Sequence, residues 1–204
     1  MTLSFVPFLF SAFSLIFSPG ESIYSINKSK SKVNWMGYSL FSFGEHFGSI
    51  DIQDGSLNVS NGNLVGGKVL IDMNTIHTLD KGFEEKDGLA DHLKSADFFE
   101  VSKFPTAILE ITAVAPIKDA SPNDPNVDVT GFLTLKGIRQ QITFPTTLHI
   151  DGSQLTAKAR FKIDRTKWNV KYNSGKYFDD IGDSTISDAI GISFEIVAAP
   201  NAAK

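Results

Sequence analysis

From Glu21 onward this chain alternates apolar and polar residues with period two in segment after segment. An α-helix cannot bury that pattern on one face, whereas a β-strand with one dry side requires it. Val33 and Trp35 alternate with Lys32 and Asn34, Ile50 and Ile52 with Ser49 and Asp51, and Val69, Ile71 and Met73 with Lys68 and Asp72. The pattern returns at Leu109, Ile111 and Ala113; at Val127, Val129, Gly131, Leu133 and Leu135; at Leu155, Ala157, Ala159, Phe161 and Ile163; and at Ile190, Ile192, Phe194 and Ile196. Adding Leu57 and Val59, or Ile142 and Phe144, makes about eight strands. Asp54-Gly55, Asn61-Gly62-Asn63, Lys136-Gly137 and Asp151-Gly152 each supply a residue that tolerates positive φ, so hairpins are expected there. Strands joined in this way form an antiparallel meander, which either closes into a barrel or splits into two packed sheets. Periodicity does not choose between the two.

One long connection, Thr75 to Lys103, breaks the alternation. Within it Leu89, Leu93 and Ala96 fall at helical spacing while Asp91 and Lys94 fall elsewhere, which predicts a short amphipathic helix. Phe98 and Phe99 follow where that helix should stop, and Pro105 restarts the chain as extended structure. Ser121 to Asn126 is a polar surface loop. The first twenty residues are of a different composition, uncharged, with an apolar run from Leu3 to Phe17 ahead of Ser18-Pro19-Gly20. They read as a signal peptide cleaved after Gly20, leaving residues 21–204 as one domain with no membrane span.

The remaining composition narrows the chemistry. With 204 residues, 42% hydrophobic and 21% charged, the chain is long enough for one sizeable core. A net charge of −4 without any Lys/Arg run argues against nucleic acid as a partner. The absence of cysteine removes disulfides, thiol catalysis and thiolate metal sites. His46, His77, His92 and His149 lack metal-ligand spacing, and Asp179, Asp180, Asp183 and Asp188 do not fit a calcium loop. No nucleophile motif or phosphate loop is present either, so no catalytic residue, metal or cofactor is expected. In IDRTKW, Asp164 and Arg165 sit at a strand end beside Trp168. Their spacing favours a surface ion pair over an arginine facing a ligand.

Three segments carry a resemblance: LADHLKSADFFEVSKFPTAILEI (Leu89 to Ile111), TGFLTLKGIRQQITFP (Thr130 to Pro145) and IDRTKWNVKY (Ile163 to Tyr172). With them the chain closely resembles the YceI family of bacterial lipid- or polyisoprenoid-binding domains, over about Ile23 to Val197. The resemblance implies an all-β fold, an extended antiparallel eight-stranded lipocalin-like β-barrel with one short helix in a long connection near one mouth. It also implies an exported protein, periplasmic or secreted, whose partner is a long-chain apolar molecule, an isoprenoid or acyl lipid; a homodimer is compatible with it.

The inner faces mix Gly131, Ala113, Ala157 and Ala159 with Trp35, Phe161 and Phe194, which suits either an open lumen or an interdigitated core. The resemblance favours the lumen. Its lining candidates are Trp35, Ile50, Val69, Ile71, Met73, Phe98, Phe99, Leu109, Ile111, Leu133, Leu135, Phe161, Trp168 and Phe194, with Phe98 and Phe99 as gate or as plug. Headgroup candidates are His46, which precedes Gly48 as the family pattern has it, His92 in the most recognisable motif, and Arg165. The stretch Phe41 to Phe47 is richer in aromatics than the family pattern, and offers the rival reading of a packed envelope protein that uses Phe41, Phe43 and Phe47 as a partner surface.

Overall fold

The computed structural model describes residues 20–40, 44–80, 88–179 and 182–201. Residues 1–19 of the expected signal peptide, Phe41, Phe43 and Asp180 lie outside the described residues. Among the described residues there are nine strands: β1 (Glu21–Ile26), β2 (Lys32–Tyr38), β3 (Glu45–Ser60), β4 (Asn63–Thr78), β5 (Thr106–Pro116), β6 (Val127–Leu135), β7 (Ile138–Ile150), β8 (Leu155–Asp164) and β9 (Ala189–Pro200). All pair antiparallel, in the order β1-β3-β2-β9-β8-β7-β6-β5-β4, and β3 pairs with β4 to close the sheet on itself. Closure leaves no free edge for edge-to-edge association, the usual liability of a sheet this size.

Nine strands make eight staves. β1 and β2 both lie between β3 and β9: Ser25 pairs with Ser56 and Ala199, and Val33 with Ile50 and Phe194. A single turn of 3₁₀ helix, Lys28–Lys30, interrupts that stave, with the Asn27 side chain accepting from the Lys30 N–H. The eight-stranded barrel expected from the sequence is therefore present, and its second candidate set, Ile142 and Phe144 in β7, supplies the remaining stave.

Two expectations about the strands change. Asp54-Gly55 is not a hairpin turn; it lies inside the 16-residue β3, where the pairing with β4 shifts register between Ile52 and Asp54. The shift moves the dry face from Ile50 and Ile52 to Leu57 and Val59 without reversing the chain. Ala113 does not face inward either. A register shift between Ile111 and Ala113 leaves Thr112 as the extra residue, so Ala113 is exposed and Val114 packs against the core. The true tight hairpins are Asn61-Gly62 and Lys136-Gly137, each with both residues at positive φ, the conformation of a type I′ turn.

The barrel has a floor and a mouth. At one end Tyr24, Val59, Leu155 and Ala198 are buried together, and the Tyr24 hydroxyl donates to the Gly152 carbonyl in the β7–β8 turn. At the other end a second cluster, including Met73, Ile76, Val101, Leu135, Ile163 and Trp168, packs beneath the long connection. That connection carries α1 (Leu89–Lys94), six residues without a side-chain N-cap bond, too short to persist alone. It is fastened from outside: Lys136 in the β6–β7 turn donates to the carbonyls of Ala96 and Phe98. The 3₁₀ turn Arg165–Trp168 and the segment up to β9 complete the rim.

Candidate functional site

The inner faces of the barrel enclose a cavity of about 490 Å³ that runs from the mouth down to Leu57, Leu64 and Ile196 above the floor. This lies within the ~300–1,000 Å³ usual for small-molecule sites. Isoleucine, leucine, valine and phenylalanine dominate its wall. On one side Phe144 stacks on Phe161 with ring centroids 4.4 Å apart, and Phe194 meets Phe144 edge-on at 5.8 Å. These rings use one another as packing partners across β7, β8 and β9, and so leave the space in front of them open.

Of the lining residues read from the sequence, Trp35, Ile50, Val69, Ile71, Met73, Phe98, Phe99, Leu109, Ile111, Leu133, Leu135, Phe161 and Phe194 all border the cavity. Trp168 does not. It is 1% exposed in the packed layer at the mouth, where its indole N–H donates to the Leu133 carbonyl at 3.0 Å. Gly48 has a defined task in this wall. A Cβ there would run into the His77 carbonyl oxygen and the Trp35 indole, so only glycine lets β4 and the Trp35 ring come this close to β3.

Polar groups gather at the mouth, where Tyr38, Ser39, His46, His92, Arg165, Tyr172 and Ser187 join the lining. The His46 ring pairs through Nδ1 with Asp80 Oδ2 at 2.8 Å, and the other oxygen of Asp80 accepts the Phe47 N–H. His92, on α1, pairs with Asp97 at 3.1 Å and meets the rings of Phe98 and Tyr172 edge-on at 5.1 and 4.8 Å. It therefore pins the helix to the rim while also touching the cavity.

Arg165 overturns the expectation of a surface ion pair. It is 1% exposed, and its guanidinium donates to the carbonyls of Ser187, Val170 and Ile186 at 3.0–3.1 Å. Its nearest carboxylate is Asp188, 3.7 Å away, while Asp164 pairs instead with Lys176. Burial pulls the Arg165 pKa below its ordinary value, opposed by Asp188 and Asp164. The sequence offers no sign of this, because two of the three carbonyls, those of Ile186 and Ser187, come from backbone that tertiary folding brings back to the turn. For Asp164, burial favours the neutral acid, but bonds from Thr166 and Lys176 outweigh it and hold the carboxyl below the usual range.

Sequence reasoning also missed Phe144 and Thr146 on β7 and Ile186 and Ser187 on the rim. For β7 the signal was present. Ile142, Phe144, Thr146 and Leu148 share one face, and Thr146 is the single polar residue of that set. Its hydroxyl and the Trp35 Nε1–H are buried without a hydrogen-bond partner among the described residues. Among the described residues no group of His, Asp and Glu could hold a metal ion, and no helix is long and apolar enough to cross a membrane.

The family model for the YceI-like domain matches residues 24–198. This chain belongs to the YceI-like family. Among its relatives, a UPF0312 protein of Pseudomonas aeruginosa (strain LESB58) is 31% identical over 144 residues, 66% of this chain and 68% of that protein. Protein YceI of Escherichia coli O157:H7 is 29% identical over 177 residues, 79% of this chain and 85% of that one. Two solved structures share the fold. Burkholderia cenocepacia BcnA superposes with a TM-score of 0.65 at 24% identity, over 85% of this chain and 99% of its own. A polyisoprenoid binding domain from Saccharophagus degradans, implicated in plant cell wall breakdown, gives a TM-score of 0.62 at 14% identity, over 87% and 98%.

Proposed function

We propose that this YceI-like chain is an exported binding protein that holds a long-chain lipid, a polyisoprenoid or fatty acyl compound, in its barrel for transport or storage, without catalysis. The leader at residues 1–20 would direct residues 21–204 to the periplasm or outside the cell. The observation that carries the reading is the apolar cavity of about 490 Å³, floored at one end and polar only at its mouth apart from Thr146 and the Trp35 indole N–H among the described residues. That void argues against the packed structural barrel. The polyisoprenoid binding described for the Saccharophagus domain of the same fold adds support.

The energetics favour a tail-driven site. At the ~30 Å³ that a water-sized group takes in a liquid, the cavity has room for a chain on the order of fifteen carbons. Burying that many methylenes at ~0.8 kcal/mol each contributes roughly 12 kcal/mol, comparable with the ~4–15 kcal/mol cost of losing translational and rotational freedom. Affinity therefore comes from the tail, and chains much shorter than this fail to bind. The mouth, with His46, His92 and Arg165, orients the polar end. Arg165 does so through its hold on the rim, since three of its donors are already engaged by protein carbonyls.

Mass spectrometry of an organic extract of the purified mature domain tests this. A long-chain species is expected from the parent and is absent from Ala157→Phe, which fills the lumen beside Phe194 and Ile196. A domain that yields no such species and takes up no added prenyl or acyl chain would overturn it.

A further inference from the structure

The wall of the lumen contains a polar group that none of the described residues satisfies. Thr146 is 1% exposed, borders the cavity, and its hydroxyl has no hydrogen-bond partner. Its place is deep. β7 leaves the mouth at Ile138, next to the Lys136-Gly137 turn that holds the helix connection, and Thr146 lies eight residues further on. At ~3.4 Å per residue that is about 27 Å along the strand. The neighbours on the same face of β7 are Phe144 and Leu148, and across the two pairings lie Ala159 on β8 and Val127 on β6, so no polar side chain stands beside it on the strands that flank it at that level. The Thr146 carbonyl is already used, accepting the Asn126 N–H.

Packing does not explain the hydroxyl. Valine has the same shape and would fill the position without a buried orphan, which is the costlier choice in an apolar interior. A second orphan stands on a distant part of the wall. Trp35 borders the cavity on β2, three staves from β7, and its buried indole N–H is also without a partner. One group is a donor and the other can donate or accept. The chemistry common to both is an oxygen that accepts.

We propose that the lumen is built for a chain bearing an oxygen function along its length, a carbonyl or hydroxyl that reaches Thr146 Oγ1, and not for a bare hydrocarbon tail. The inference rests on the lipid-binding reading above and narrows the class of lipid. Completing a hydrogen bond inside an apolar site discriminates against the analogue that leaves the site's polar group unpaired. The oxygen would also set how far the chain descends, a register that smooth apolar walls do not provide.

The test uses long-chain alcohols of one length, a keto-free parent and a set carrying a single keto group at successive carbons, each measured by displacement of a fluorescent acyl probe from the mature domain. At one keto position the wild-type protein should bind about tenfold tighter than it binds the keto-free parent. Thr146→Val should abolish that preference, so that every keto alcohol binds no tighter than the parent alcohol, and Thr146→Ser should keep it. Valine conserves the shape and removes only the orphan, so the variant is expected to fold at least as well as the parent, which its melting curve verifies. Equal binding of all the alcohols by the wild type, or a preference that survives in Thr146→Val, would overturn this inference and leave the lipid-binding reading standing. Failure of every alcohol to displace the probe, or of the probe to bind, would overturn both.

Discussion

At the scale of the residue, the charged side chains at the rim act mainly on protein backbone. Arg165 binds three carbonyls of the connection between β8 and β9, a task its planar fork suits and a lysine cannot repeat. Asp164 starts the same turn, accepting the Thr166 N–H at 3.0 Å and the Thr166 hydroxyl at 2.6 Å, and it pairs with Lys176. Since its pKa is held below the ordinary value in the folded chain, its stabilisation is present above that ordinary value, near pH ~4, and is lost as the pH falls through the folded value. Asp164→Ala should therefore cost about 1 kcal/mol at neutral pH. In urea titrations across pH the gap to the parent should narrow below pH ~4. A gap that stayed constant through the acid range would mean that the carboxylate's charge contributes nothing.

Among the elements, α1 shows how local signal and tertiary support divide the work. The spacing of Leu89 and Leu93 predicts the helix, yet six residues lack the length to hold one. What holds it is the cap from Lys136 to Ala96 and Phe98, with His92 wedged between Phe98 and Tyr172. Lys136→Met removes both cap bonds and keeps the aliphatic stem. The local opening free energy of the connection should fall by about 1–2 kcal/mol. Hydrogen exchange at the Phe99, Glu100 and Val101 amides, which bond back to the helix and its end, should then quicken by roughly fivefold or more, with the strand amides unchanged. Exchange at the parental rate would show that the aromatic contacts alone suffice. The bulges in β3 and β5 belong to this scale as well. Asp54-Gly55 looked like a hairpin because a change in which parity is dry, next to a glycine, has the same appearance whether the chain reverses or only slips one residue.

For the whole molecule, closure creates the site. The packing that surrounds the cavity comes from all eight staves, so a bound chain should stabilise the fold as a unit and not one part of it. With ligand at about a hundredfold excess over its Kd the gain is about 2.7 kcal/mol. For a domain of this size that raises the Tm by roughly 5–11 °C. Differential scanning fluorimetry with added long-chain lipid measures the shift, which should vanish in Ala157→Phe. An equal shift in the filled variant would place the lipid somewhere other than the lumen.

The all-β class, the face on which Trp35, Ile71, Leu133 and Phe161 lie, the Asn61-Gly62 and Lys136-Gly137 hairpins and the kinship with YceI-like domains were all determined by the sequence itself. These depend on side-chain alternation and turn conformations, which are properties of neighbouring residues. Only the tertiary structure decided that one stave is made of β1 and β2, that Ala113 turns outward, that Trp168 packs away from the cavity and that Arg165 is buried among carbonyls. It also decided that the Thr146 hydroxyl, an ordinary threonine in the sequence, stands unpaired within an apolar lumen. The reason is the same in each case. Register, closure and the saturation of polar groups are set by partners far along the chain, and no local pattern records where those partners will be.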